Sequence, residues 1–89
     1  LEEKLNSWNL IILKKPEKYL QKLSLPEQKR IIQSLKLLIQ DKTLVDIKPL
    51  KGRSEWRLRV GDFRILYRED RENKTYVVTK IKSRGDVYK

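Results

Sequence analysis

The sequence predicts an α+β domain in the order β-α-α-β-β-β: a mostly antiparallel sheet with a helical hairpin on one face. Three observations carry that prediction. Trp56, Leu58 and Val60 alternate with Arg57 and Arg59, the period of a half-buried strand. Gly61-Asp62 follows directly, a glycine-first pair suited to a two-residue type II′ turn, and Phe63-Arg-Ile-Leu-Tyr67 resumes the strand. Upstream, Ser24 and Glu27 form a capping-box signature ahead of a stretch whose apolar residues recur at helical spacing. All 89 residues are read as one domain, 1–89.

Taken in order, residues 1–7 are polar and charged and predict a flexible leader. Trp8 to Leu13 is a short apolar run rich in strand formers and predicts the first strand. Pro16 suits the first turn of a helix, and Tyr19, Leu20 and Leu23 recur at helical spacing. In the second helix Ile31, Ile32, Leu35, Leu38 and Ile39 form one apolar stripe, which reads as core. Asp41 to Pro49 predicts a connecting loop, with Leu44, Val45 and Ile47 pinned against the helix end. After the hairpin, Asp70 to Lys74 is an all-polar turn, and Thr75 to Arg84 is the last strand. Strict alternation there puts Val77, Thr79 and Ile81 on one face and Tyr76, Val78, Lys80, Lys82 and Arg84 on the other.

Charge narrows the function. The net charge is +10, from 22 basic and 12 acidic side chains. Residues 48–89 hold thirteen of the basic and six of the acidic groups, and seven of the eight arginines. A polyanionic partner rewards such asymmetry through counterion release. There is no cysteine and no histidine, which removes thiolate metal sites and the commonest general base. No apolar run is long enough for a membrane span. A cytoplasmic protein without metal or cofactor is the expectation.

An antiparallel sheet commonly buries one face and leaves the other wet. The predicted wet face carries Arg57, Arg59 and Arg64 from the hairpin and Lys80, Lys82 and Arg84 from the last strand, with Tyr88 just beyond. Guanidinium forks match phosphate oxygens, and an exposed ring beside them stacks a base, the combination single-stranded nucleic acid requires. The same alternation also fits a plain solvated strand face, and Tyr88 fits an anchor for the chain end.

Leu50-Lys-Gly, the run from Trp56 to Tyr67, and Arg84-Gly-Asp-Val-Tyr88 resemble the RelE/ParE toxin superfamily of bacterial toxin–antitoxin systems. The resemblance implies a RelE-like fold and a cognate antitoxin. RelE-like members are ribosome-dependent mRNA endonucleases; ParE-like members instead poison DNA gyrase. Arg57 and Arg59 fall where RelE-like toxins place basic residues, often lysines. Arg64 matches the phosphate-binding arginine, Lys82 and Arg84 match basic positions of the last strand, and Tyr88 matches the base-stacking tyrosine. Ser83 stands where many relatives carry histidine.

On this reading the chain binds the ribosome and mRNA, and the 2′-OH of the message attacks the adjacent phosphate. Arg57, Arg59, Arg64 and Arg84 stabilise the developing charge, Lys82 among its cationic neighbours is the base, and Tyr88 stacks. Lys51, Arg53 and Lys80 add RNA-binding charge. The alternatives are a ParE-like gyrase inhibitor and a non-catalytic RNA-binding module.

Overall fold

The computed structural model describes residues 8–83; the predicted leader, Arg84 and Tyr88 lie outside them. Within that span the helices begin where the sequence says. Ser24 caps α2 (Leu25–Gln40): its backbone N–H donates to Glu27 Oε1 at 3.2 Å, and the Glu27 N–H donates to Ser24 Oγ at 3.3 Å. The shorter α1 (Lys14–Gln21) carries Pro16 in its first turn and buries Pro16 and Leu20. No helix among the described residues is long and apolar enough to cross a membrane.

The strands are β1 (Asn9–Ile12), β2 (Asp46–Pro49), β3 (Glu55–Val60), β4 (Phe63–Asp70) and β5 (Thr75–Ser83), in the spatial order β1-β5-β4-β3-β2. Only β1 and β5 pair in parallel; the other three pairings are antiparallel. Leu20 from α1 and Ile31, Leu35 and Leu38 from α2 join Leu58, Ile65, Tyr67, Val78 and Ile81 in one core. Both helices therefore cover the same face of the sheet, and no helix among the described residues covers the other.

Two expectations are corrected. Asp41–Pro49 is not a plain loop. Asp41 accepts from Thr43 N at 3.0 Å and Thr43 Oγ1 at 2.7 Å, which holds its carboxyl below the usual range. A 3₁₀ turn (Lys42–Leu44) follows, and then β2 adds a four-residue edge strand that ends in proline, with Ile47 half-buried between exposed Asp46 and Lys48. Val45 and Ile47 pack on the core as expected, but Leu44 is exposed.

The second correction concerns β5. Leu66 pairs with Lys80 while Tyr67 pairs with Val78, so Thr79 is an extra residue, a β-bulge. The bulge resets the alternation. Tyr76 and Val78 before it and Ile81 after it all face the core, whereas strict alternation had put Tyr76 and Val78 beside the lysines.

Tyr67 is fully buried, meets Tyr76 edge-on at 5.5 Å, and its hydroxyl has no hydrogen-bond partner among the described residues. Burial first, then Glu69 and Tyr76, pushes the phenol well above its ordinary value. Because the folded value is raised, the stability gained by burying the neutral phenol is complete below about pH 10, the unfolded value. It is lost as pH rises through the folded value. Tyr67→Phe should therefore melt at an equal or higher temperature at pH 7, by up to about 1 kcal/mol, since an unsatisfied hydroxyl is removed. Above pH 10 its advantage should widen, and melts at pH 8 and 11 would show it; a constant gap would mean that Tyr67 does not titrate with unfolding.

Candidate nucleic-acid interface

The β3–β4 turn is the two-residue loop the sequence asks for: Val60 pairs with Phe63, Gly61 has φ +57°, and Asp62 is not in the left-handed region. That tight register sets the charges. Arg59 pairs with Arg64, and Arg64 pairs with Lys82 on β5. Paired residues share a face with Cβ atoms roughly 4.5–5.5 Å apart, so three cations stand in one row across three strands. The adjacent row runs Lys48, Arg57, Leu66 and Lys80. Like charges directly opposite each other are destabilising. Asp46 of β2 stands opposite Arg59 at one end of the row, so the repulsion left for a ligand to offset is chiefly that between Arg64 and Lys82.

The three arginines are not equivalent. Arg57 donates to Asp46 at 3.1 Å and keeps Nε buried without a partner. Among the described residues Arg64 donates only to its neighbour's carbonyl, Phe63 O, at 3.3 Å. Arg59, Lys80 and Lys82 have no hydrogen-bond or ion-pair partner among the described residues. Arg59, Arg64, Lys80 and Lys82 are thus available to a ligand, while Arg57 is held by the edge strand. Lys51 and Arg53 are exposed in the β2–β3 loop at the other end of β3, and Arg53 pairs with Glu55. Four residues of strand, roughly 13 Å, separate Glu55 from Arg59, so neither joins the row.

Glu55 and Thr79 are open-face residues that the sequence pattern did not single out. Glu55 is in phase with Arg57 and Arg59 and signals itself by the same alternation one step earlier. Its Oε2 accepts from Thr79 Oγ1 at 2.5 Å, with Leu66 O a further 3.2 Å contact of that hydroxyl. Thr79 reaches across because it is the bulge residue, which no periodicity reveals. At the turn end of the row, Lys29, Arg30 and Arg59 line a cavity of about 580 Å³. A Cβ on Gly61 would meet only the tip of the flexible Arg30 side chain, which can shift, so it is the positive φ that calls for glycine in this turn. Among the described residues no three His, Cys, Asp or Glu side chains are grouped to hold a metal ion.

Residues 12–88 match the family described as the ParE toxin of the type II toxin–antitoxin system parDE. The chain belongs to that family of toxins. Its backbone is that of the wider RelE/ParE superfamily. The archaeal RelE–RelB complex of Pyrococcus horikoshii OT3 has a chain 26% identical, with a TM-score of 0.77, covering 89% of this chain and 97% of its own. The RelBE2 complex of Mycobacterium tuberculosis has one 23% identical, with a TM-score of 0.76, covering 88% and 99%. The intact RelBE complex of E. coli has one 16% identical, with a TM-score of 0.70, covering 86% and 96%. The last two likenesses are of fold alone. No curated protein matches the chain in sequence.

Proposed function

We propose that this type II toxin is a ribosome-dependent mRNA endonuclease, acting in the cytoplasm and held inactive by a cognate antitoxin. The in-register row Arg59–Arg64–Lys82 is the observation that supports it. The scissile phosphate sits over the row. The 2′-oxygen forms a bond to phosphorus and the bond to the 5′-oxygen breaks. Lys82 takes the 2′ proton, and the 5′-oxygen leaves as a hydroxyl after receiving a proton, for which Arg84 or water is the donor. Arg59 and Arg64 stabilise the charge gathering on the non-bridging oxygens; preorganised donors of this kind are worth about 3–4 kcal/mol each. Arg57 acts through Asp46 and the sheet edge, and Tyr88 stacks a base. The substrate supplies its own nucleophile, so this route needs no cofactor.

The ParE reading has one specific observation in its favour, the family that residues 12–88 match. A translation reaction and a gyrase supercoiling assay separate the two. The nuclease leaves a 2′,3′-cyclic phosphate upstream of the cut and a 5′-hydroxyl downstream, with supercoiling untouched. Inhibited supercoiling with intact message would replace it by the gyrase reading. Binding to a short single-stranded RNA should also depend on salt. Four free cations at about −0.7 each give a slope of log K on log salt near −3, and a flat titration would remove the row as a phosphate site.

A further inference from the structure

β1 pairs with β5 only along Thr75–Val78. At Leu13, whose N–H donates to Val78 O at 3.1 Å, the chain turns away into α1. Past the Thr79 bulge, the outer edge of β5 therefore has α1 beside it instead of a strand, and a cleft of about 510 Å³ lies between them. Lys15, Lys18 and Lys22 of α1 line one side, Lys80 and Lys82 of β5 the other, and the partly exposed Tyr19 ring stands among them. Five ammonium groups border one cleft, no carboxylate lines it, and none of the five has an ion-pair partner among the described residues.

We propose that this cleft is a second segment of the RNA path, which takes the backbone of single-stranded RNA as it leaves the cationic row. The inference rests on the RNA-binding reading of that row and extends it. Lys82 belongs to both the row and the cleft, so charge is continuous from Arg59 through Arg64 and Lys82 to α1. Lysines are point charges that follow phosphates without a fixed geometry, while the arginines on the sheet fix one phosphate. Tyr19 adds a ring face for a base, as single-strand channels do. At the opposite end of the row the cavity has only Lys29 and Arg30 beyond Arg59, and Arg30 lies against Gly61. Continuity, number of cations and the aromatic favour the α1 side.

The test uses two non-cleavable 2′-O-methyl RNAs, one of about five nucleotides, whose four phosphates span the row and Lys80, and one of about ten that reaches the cleft. For the parent protein the short RNA should give a salt slope near −3. The long one should approach −5, because three more phosphate contacts add about −0.7 each. In the variant combining Lys15→Ala, Lys18→Ala and Lys22→Ala, the long RNA should fall back to a slope near −3 and bind about 10²-fold more weakly at 0.1 M salt. The short RNA should be unaffected. Equal slopes for both RNAs on the parent, or an unchanged long-RNA slope in the variant, would overturn the cleft while leaving the row intact. If the variant keeps its RNA slope but loses antitoxin capture, the cleft belongs to a protein partner and the RNA path is wrong. If neither RNA binds the parent, the row reading fails, and the cleft with it.

Discussion

Arg64→Ala should lower mRNA cleavage by about 10² or more, the loss that follows removal of one transition-state donor. The folded state should hardly notice. Arg64 lies on the open face between Arg59 and Lys82, and among the described residues its side chain donates only to Phe63 O. Removing it relieves a like-charge row, so the change in stability should stay within about 1 kcal/mol, with a gain as readily seen as a loss. Single-turnover cleavage on programmed ribosomes and a urea titration of the same preparation give both numbers. A folded variant that cuts at the parent rate would remove Arg64 from the chemistry.

The next residue should behave in the opposite way. Ile65 is fully buried and pairs with Leu58 and Ile81, both in the core. Ile65→Ala deletes three heavy atoms from the layer between the sheet and the helices, a change that costs about 2–5 kcal/mol. For a domain of this size each kcal/mol moves the melting temperature by about 4–8 °C, so a drop of 10 °C or more is expected. Whatever fraction stays folded should retain the parent's charge row and its salt slope on short RNA. A variant as stable as the parent would mean that the 64/65 alternation is assigned to the wrong faces.

Much of this was legible in the residues themselves. The Arg57/Arg59 alternation and the Gly61-Asp62 turn suffice to place Arg64 opposite Arg59, because a two-residue turn leaves only one register. Ser24 and Glu27 similarly fix the start of α2. What stayed hidden has physical causes. β2 is a four-residue edge strand ending in proline, and the alternation of Val45 and Ile47 with Asp46 and Lys48 is too short to stand out from a loop. The bulge at Thr79 is a backbone event without a composition signal, so Tyr76 and Val78 were put on the wrong face. The inequality of the arginines was unreadable as well: it depends on Asp46, which is remote in sequence and reaches Arg57 only once β2 has paired with β3. The cleft beside α1 requires knowing where β1 stops.

The cationic row has a second row immediately behind it. Leu58, Ile65 and Ile81 are the chain neighbours of Arg59, Arg64 and Lys82, paired in the same order across the same three strands and 0%, 0% and 4% exposed. Each charge is thereby anchored through one peptide unit to a residue that close packing holds in place. A surface built this way is an anvil: it keeps its shape whether or not anything rests on it. Distorting it from a distance would require shearing the core layer, so the inexpensive way to silence it is a cover laid over the face.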